Sequence, residues 1–193
     1  MDKSNGYEGI SSLFLKGRGI AINGIGKSSV LKWAKTFQPG SIILDIACGT
    51  GIPVSKVLID EGMMVYGIDA SPTLAHAFHQ NFPDLPIACE AAEDSTFFDR
   101  QFDGIISIGL MFLLPEESQI TLINKAAMAL KTGGRFLFTA THSAHVWNDV
   151  MTEQRSISLG AEKYKELIAA SGLSLHEEWT DEGGNYYYNA GKT

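Results

Sequence analysis

Apolar and polar residues alternate along this chain in blocks that predict strands and helices in turn. Short runs rich in Ile, Val, Leu and Phe predict seven strands, and segments with helical spacing predict helices between them. The predicted strands cover residues 41–46, 63–68, 87–90, 104–108, 135–140, 173–180 and 185–190. The predicted helices cover residues 29–37, 53–61, 73–82, 117–131 and 161–171. This alternation is typical of an α/β protein, in which helices cover both faces of a parallel sheet.

The last two predicted strands are separated by DEGG, residues 181–184. A Gly-Gly pair between apolar runs is a turn signal, so these strands should form a hairpin at the edge of the sheet. Strand alternation sends Tyr186 and Tyr188 to one face and Tyr187 to the other. These tyrosines either line a pocket or pack against helices, the second being common because tyrosine favours strands.

The sequence ILDIACGTG, residues 43–51, combines a predicted strand with a glycine turn. The strand carries Asp45, and Pro53 begins the next helix, where its missing N–H is not needed. Gly49 and Gly51 let the backbone approach a ligand at positions where a Cβ would clash. The arrangement predicts a nucleotide-like ligand.

Two cofactor classes use a strand, glycine turn and helix of this kind. The dinucleotide fingerprint has a third glycine where this chain has Val54, and it holds pyrophosphate at the helix N-terminus. Asp45 would repel a diphosphate but could bind an ammonium group, often through water. S-adenosylmethionine (SAM) has such an ammonium group, so the residues favour SAM over a dinucleotide.

A second acidic residue lies at the end of the next predicted strand, MMVYGID. Asp69 follows the glycine turn by about twenty residues, the spacing expected for a carboxylate that binds ribose hydroxyls. Its alternative role is to cap the following helix, but Ser71 can provide that cap instead.

A phosphate-loop alternative comes from AINGIGKS, residues 21–28, which fits a loose form of that pattern. A phosphate loop must follow a buried strand. The preceding segment, LFLKGRGI, is short and broken by charged residues and glycines, which argues against phosphate binding.

Length and composition predict one soluble domain. The chain has 193 residues, of which 45% are hydrophobic, enough for one substantial core. A net charge of −7 argues against a nucleic-acid partner. The N-terminus has no signal pattern, and no apolar run approaches the roughly twenty residues needed to cross a bilayer, so we expect a cytoplasmic protein without membrane contact.

Cysteine and histidine positions predict neither a disulfide framework nor a metal site. Cys48 and Cys89 are two isolated cysteines, which suits a reducing compartment. His76 and His79 share one helix face at i, i+3, but no acid or cysteine accompanies them in a metal-ligand pattern.

The chain resembles the class I SAM-dependent methyltransferases, in particular the small bacterial type 11 kind that acts on small molecules. The resemblance covers nearly the whole length and is carried by LDIACGTG, VYGIDASP, AAEDS, FDGIISIGLMFLLP and LKTGGRFLFTA. It implies a Rossmann-like, seven-stranded, mostly parallel sheet with helices on both faces and an antiparallel last strand. It also implies SAM as cofactor and S-adenosylhomocysteine (SAH) as product.

The resemblance further divides the single domain, 1–193, into functional parts. It implies an N-terminal cover segment at 1–28, where Tyr7 and Arg18 reach the SAM carboxylate; an ordinary surface charge is the alternative role for Arg18. It implies a substrate-side loop at 141–159. The implied cofactor contacts are Tyr7, Arg18, Asp45, Ala47, Gly49, Gly51, Asp69, Ala70, Ala92, Glu93 and Gly109.

The sequence departs from the family at the adenine site. Many relatives have Asp-Ala after the third strand, whereas this chain has Ala91-Ala92 followed by Glu93-Asp94. The main-chain N–H of Ala92 can still bind adenine. Glu93 or Asp94 either takes the adenine amino group or is a solvated acid at a helix start.

After the fourth strand the chain lacks two motifs of related enzymes. There is no Asn/Asp-Pro-Pro-aromatic tetrapeptide, which offers carbonyls to an amino group of adenine, cytosine or glutamine. There is no Pro-Cys pair either, so cytosine C5 chemistry has no thiolate nucleophile. Both absences favour a different, small-molecule acceptor.

Side chains after the fourth and later strands are the predicted acceptor contacts. His142 and His145 are candidate bases, because histidine as a residue type suits proton removal from an alcohol, thiol or amine, with a surface location as the alternative. Asp149 is a further candidate in the same loop. The predicted substrate contacts are Met111, Trp147, Glu182, Asn185 and Tyr186.

The leading hypothesis is transfer of the SAM methyl group to an oxygen, nitrogen or sulfur atom of a small molecule by in-line displacement. One alternative is a SAM-binding protein without transfer activity, such as a sensor or an inactive relative. A more distant alternative is an NAD-binding oxidoreductase.

Overall fold

A computed structural model describes residues 3–17, 19, 21, 24 and 26–193. Its helices are α1 (Ser11–Lys16), α2 (Lys27–Ala34), α3 (Val54–Asp60), α4 (Pro72–Asn81), α5 (Glu116–Ala129) and α6 (Ala161–Ala170). Its strands are β1 (Ile42–Ile46), β2 (Met64–Asp69), β3 (Ile87–Cys89), β4 (Phe102–Ser107), β5 (Leu130–Thr139), β6 (His145–Asn148), β7 (Arg155–Ser158), β8 (Leu173–Thr180) and β9 (Tyr186–Lys192). Short 3₁₀ helices lie at Phe97–Asp99 and Met111–Leu113.

Seven strands form the central sheet in the order β3-β2-β1-β4-β5-β9-β8. The first five strands in the chain run parallel, and β9 lies antiparallel between β5 and β8. The predicted Rossmann-like sheet with an antiparallel last strand is therefore confirmed. Over the residues that the structure describes, no helix combines the length and the apolar character needed to cross a bilayer.

The alternating side chains of the central strands build one hydrophobic core on each face of the sheet. On one face Phe136, Phe138 and Tyr188 pack with residues of α5 and α6. On the other face Leu137 and Tyr187 pack with residues of α2 and α3. The predicted opposite orientation of neighbouring tyrosines in β9 is thus confirmed, and both faces of the sheet are covered by helices.

The connection between α5 and β5 differs from the predicted one. The helix was predicted to extend to residue 131 and the strand to begin at 135, whereas α5 ends at Ala129 and β5 begins at Leu130. Leu130 has extended backbone angles and pairs with Phe102 of β4. The apolar spacing of the helix continues into Leu130, so the sequence pattern could not mark where the backbone changes.

The predicted substrate-side loop, 141–159, contains a β-hairpin. Strands β6 and β7 pair antiparallel, with Trp147 opposite Ser156 and Val146 opposite Ile157. Placing Trp147 in a loop was therefore wrong. Each strand has four residues, too few for alternation alone to separate a strand from a loop.

A buried polar network attaches this hairpin to the helices beneath it. The side-chain amide of Gln119, fully buried on α5, donates to the carbonyl oxygens of Leu114 (2.8 Å) and Ile157 (2.9 Å). The Gln119 Oε1 accepts a 2.6 Å hydrogen bond from the Tyr164 hydroxyl, which itself accepts the N–H of Leu159. One side chain thus links α5, α6 and the end of the hairpin.

Replacing Gln119 by Leu should lower the free energy of unfolding by about 2–3 kcal/mol, because the buried Tyr164 hydroxyl and two carbonyl groups lose their partner. Urea unfolding followed by circular dichroism measures the change. Asn124→Leu, on the exposed face of the same helix, is the matched control and should shift stability by less than about 0.5 kcal/mol. Equal stability of the two variants would contradict a structural role for this network.

Candidate active site

A cavity of about 480 Å³ lies at the carboxyl end of the parallel strands, between the sheet and the N-terminal residues. Its volume is in the range of small-molecule and cofactor sites. Eight of the predicted site residues line this cavity: Tyr7, Asp45, Ala47, Gly49, Asp69, Ala70, Gly109 and Asn185.

The Asp69 carboxylate, at the end of β2, holds the glycine turn in place. Its Oδ2 accepts the N–H of Gly49 at 2.8 Å, and its Oδ1 accepts the N–H of Ser71 at 2.9 Å. The side chain of Ser71 caps α4 by accepting the N–H of Leu74, as the sequence indicated. Burial raises the pKa of Asp69, although both backbone hydrogen bonds act in the opposite direction. Asp69 is therefore a buried acceptor with unused lone pairs at the cavity wall.

The Asp45 carboxylate lies on the neighbouring strand β1 and is only 2% exposed. Its Oδ2 accepts a 2.6 Å hydrogen bond from the Ser55 hydroxyl of α3. Burial, together with a smaller effect of the nearby Asp69 charge, raises the pKa of Asp45 to about 7, although the hydrogen bond from Ser55 acts in the opposite direction. A cationic ligand group in the cavity would favour the ionised form of Asp45.

The turn after β1 is shaped by left-handed backbone conformations. Ala47 has φ of 60° and Gly49 has φ of 57°, and at Ala47 this conformation strains a residue that carries a Cβ. Gly51 also has positive φ, but it does not line the cavity. A Cβ at Gly51 would lie 2.5 Å from the ring of Phe82, so the absence of a side chain there serves the packing of α4 and not the predicted approach of a ligand.

Residues 3–17, which we call the strap, lie over the cavity and are attached to the sheet side at two places. The Glu8 carboxylate accepts the hydroxyl of Ser71 and the hydroxyl (2.6 Å) and N–H (3.1 Å) of Thr73, at the start of α4. Lys3 forms a 2.5 Å ion pair with Asp94. Tyr7 lines the cavity from the strap, and Arg18 lies outside the described residues.

The predicted adenine contacts lie in a turn beside the cavity and do not line it. Ala92 is buried, and its carbonyl oxygen accepts a hydrogen bond from the Lys125 ammonium group at 2.7 Å. The same ammonium group binds the carbonyl oxygens of Glu93 (2.9 Å) and Ser95 (2.6 Å). Lys125 therefore fixes the main chain of this turn from the α5 side.

The two candidate bases are exposed side chains around the β6–β7 hairpin. His145 stacks on Trp147 with ring centroids 4.5 Å apart, and Trp147 also contacts Phe112. His142 packs edge-on against Tyr186 at 5.0 Å. Neither histidine lines the cavity that Asp45 and Asp69 line. The structure therefore does not bring the candidate bases together with the two carboxylates.

The remaining predicted contacts have structural partners outside the cavity. Met111 is fully buried in the core, and Asp149 accepts hydrogen bonds within its own turn, from the N–H groups of Met151 and Thr152. Glu182 accepts a hydrogen bond from Ser28, and Tyr186 donates to Glu178. Their predicted roles in acceptor binding stay predictions.

Three residues of the site were not singled out from the sequence. Glu8 attaches the strap to the start of α4, and Ser55 donates a hydrogen bond to Asp45. Asp181 accepts hydrogen bonds from the backbone and the side chain of Asn185. A signal existed for Asp181, which opens the DEGG turn, because Asp commonly hydrogen-bonds its own turn. Glu8 and Ser55 belong to no such local pattern. In the described part of the chain no group of three or more His, Cys, Asp or Glu side chains could hold a metal ion.

Residues 43–134 match a family model described as methyltransferase domain. An uncharacterized methyltransferase of Synechocystis is 32% identical over 111 residues, which cover 57% of this chain and 51% of the relative. The 18S rRNA (guanine(1575)-N(7))-methyltransferase of Saccharomyces cerevisiae is also 32% identical, over 52% of this chain and 40% of that protein. The chain thus spans about half the length, or less, of these two relatives.

Among solved structures, the 1,6-didemethyltoxoflavin-N1-methyltransferase of Burkholderia thailandensis superposes with a TM-score of 0.75 and 16% identity. The match covers 96% of this chain and 86% of that one, which contains bound 1,6-didemethyltoxoflavin and SAH. At this identity the match establishes the fold. The comparisons confirm the predicted fold, and the stretch that matches the methyltransferase family model contains the glycine turn and both buried carboxylates.

Asp45 should make the stability of the free protein depend on pH. Its folded pKa of about 7 exceeds the ordinary value of 3.8, so its contribution to stability is full below pH 3.8 and is lost as pH rises through 7. Asp45→Asn should remove this loss and stabilise the protein at pH 8 by up to roughly 4 kcal/mol. Urea unfolding at pH 5 and pH 8 measures the difference.

The control for this change is Asp60→Asn, an exposed aspartate of α3 whose carboxylate pairs with Lys56. This variant should keep the pH profile of the unmodified protein. If Asp45→Asn kept it as well, burial of Asp45 would not control stability in this pH range.

Proposed function

Because residues 43–134 match a family model described as methyltransferase domain and the chain has the class I fold, we propose that it transfers the methyl group of SAM to a small-molecule acceptor. The observation that carries the proposal is the pair of buried carboxylates at the ends of adjacent strands. Asp45 pairs in register with Gly67 of β2, and Asp69 lies two residues further along that strand. Both line one cavity with the glycine turn between them.

The donor set fits SAM group by group. Asp69 would hold the ribose hydroxyls, which donate hydrogen bonds, and Asp45 would hold the ammonium group. Tyr7 would reach the carboxylate from the strap. The main-chain N–H of Ala92, in the turn beside the cavity, stays the proposed adenine contact, and Lys125 fixes that turn by binding the carbonyl oxygen of Ala92.

Bound SAM would supply a methyl group already activated by the sulfonium. The chain therefore has to bind and orient the reactants and to exclude water, and it needs a base only for an acceptor that must lose a proton before attack. Ile108, Leu110 and Leu113 give the cavity an apolar wall suited to this task. No step is assigned to His142 or His145, which lie outside that wall.

A small molecule is the proposed acceptor class. The net charge of −7 provides no overall attraction for a phosphate backbone, and the cavity is of small-molecule size. The structurally similar Burkholderia methyltransferase contains bound 1,6-didemethyltoxoflavin, whereas the yeast relative is an 18S rRNA methyltransferase. A small acceptor agrees with the charge and the cavity of this chain.

Isothermal calorimetry with SAM and SAH, followed by measurement of SAH formation with a panel of small acceptors, tests the proposal. Asp69→Ala should weaken SAM binding on the order of 100-fold, because it removes a charged acceptor and releases the Gly49 N–H. Gly49→Val should abolish binding, since a branched side chain cannot readily adopt φ of 57°.

Asp84→Ala, an exposed aspartate after α4, is the matched control and should bind SAM as the unmodified protein does. Melting curves without ligand establish that each variant is folded. Unchanged SAM affinity in folded Asp69→Ala and Gly49→Val would remove the proposed cofactor site. Binding of NAD in place of SAM would support the oxidoreductase alternative.

A further inference from the structure

The cavity has two chemically different ends, which follow the order of the strands. Asp69 and Asp45 lie at the ends of β2 and β1. Across the sheet, the wall consists of apolar residues after β4 and of Asn185, directly before β9. From β2 to β9 there are four strand spacings, on the order of 19 Å. On the sheet side, one end of the cavity is thus acidic, and the other is apolar and carries the amide of Asn185.

Asn185 is fixed at this apolar end by the main chain and by Asp181. The N–H of Ala140, just after β5, donates to the carbonyl oxygen of Tyr186 at 3.1 Å, which places the start of β9 beside the end of β5. The N–H of Asn185 donates to Asp181 Oδ1 at 2.9 Å, and the carbonyl oxygen of Asn185 accepts the N–H of Asp181 at 3.0 Å.

Asp181 also determines which way the Asn185 amide faces. The Asn185 Nδ2 donates to Asp181 Oδ2 at 2.9 Å and lies 3.2 Å from Oδ1. The ionised carboxylate only accepts hydrogen bonds, so a flipped amide would place two acceptor oxygens together. The Tyr187 hydroxyl and the Gly183 N–H hold Asp181 in turn, at 2.9 Å each. These hydrogen bonds outweigh the effect of partial burial and lower the pKa of Asp181.

The amide oxygen of Asn185 is consequently left for a ligand. Among the described residues, none donates a hydrogen bond to this Oδ1. The other described residues of this wall are Ile108, Gly109, Leu110 and Leu113, none of which has a titratable side chain. Among the described residues of this wall, the side chains therefore offer one hydrogen-bond acceptor and no general base.

We propose that Asn185, oriented by Asp181, accepts a hydrogen bond from the methyl acceptor, and that this acceptor is a neutral nitrogen with one N–H on an apolar molecule. This inference rests on the proposed function and names its substrate class. One N–H matches the free side-chain oxygen of Asn185, and the hydrogen bond directs the nitrogen lone pair. An alcohol would instead need a base to remove its proton.

The reaction balances without a base before attack. The nitrogen lone pair forms the new N–C bond, and the electron pair of the breaking S–C bond goes to sulfur, which yields SAH. Nitrogen becomes positively charged as the bond forms, so its hydrogen bond to the Asn185 Oδ1 strengthens in the transition state. The N–H proton then passes to water when the product leaves.

Three probes that share one ring test the acceptor class: N-methylaniline, phenol and thiophenol. With SAM bound, we expect N-methylaniline to be converted to N,N-dimethylaniline with the highest kcat/KM of the three. In calorimetry on the SAH complex, N-methylaniline should bind more tightly than N,N-dimethylaniline, which has no N–H. Preferred methylation of phenol or thiophenol, or no reaction of any probe while SAM binds, would overturn the inference.

Variants test the two residues. Asn185→Leu should lower kcat/KM for N-methylaniline by about 10- to 100-fold and leave SAM affinity within about twofold. Asp181→Asn should lower kcat/KM in the unmodified background but add no further loss to Asn185→Leu, because a positioning residue acts through the group that it orients. A merely structural role of Asp181 would give additive losses instead.

Glu177→Gln, a surface position on β8 that pairs with Lys32, is the control and should keep full activity. Asn185→Leu with kcat/KM within twofold of the unmodified protein would overturn the assignment. If the unmodified protein did not bind SAM, the proposed function itself would fail, and this result is distinct from loss of the nitrogen preference alone.

Discussion

The hydrogen bond from the Gly49 N–H to the Asp69 carboxylate joins the parts on which the site depends. Gly49 belongs to the turn after β1, and Asp69 ends β2, so this 2.8 Å contact sets the distance between the two strand ends. The other oxygen of Asp69 accepts the N–H of Ser71, the residue directly before α4. The Ser71 hydroxyl in turn contacts Glu8 of the strap. Glycine turn, helix start and strap are thereby placed around one carboxylate, which keeps lone pairs for a ligand.

The sequence was sufficient to predict the seven strands of the central sheet and the two carboxylates because both follow from local patterns. Apolar strands ending in an acid or a glycine turn have short, regular spacing, and Asp45 and Asp69 line the cavity as expected. The β6–β7 hairpin was missed because its strands are short and half polar. The role of Gln119 could not be predicted either, because nothing in the local sequence indicates that a hairpin will cover this polar helix residue.

Contacts between segments that are far apart in the chain could not be predicted from the sequence either. Glu8 contacts residues more than sixty positions away, so only the folded chain brings them together. Gly51 illustrates the opposite case, in which the residue was recognised and its physical reason was not: the neighbouring ring of Phe82, and not a ligand, occupies the space a Cβ would need. A motif can thus identify a position without identifying what constrains it.

The site is held in a state that costs the free protein stability. A residue with a Cβ has positive φ at Ala47, and two carboxylates are kept largely away from water. Extensive packing on both faces of the sheet offsets these costs. Such a balance is typical of binding sites whose polar groups are arranged before the ligand arrives.

The position of β9 has a consequence for how the chain is made. This strand follows β5 and β8 in the sequence but lies between them in the sheet. During translation, β5 is therefore an open sheet edge until β9 has emerged from the ribosome, and β8 has no partner in the sheet. The nascent chain must carry unpaired backbone groups through synthesis of α6 and β8, which makes this interval the period of greatest exposure to aggregation or chaperone binding.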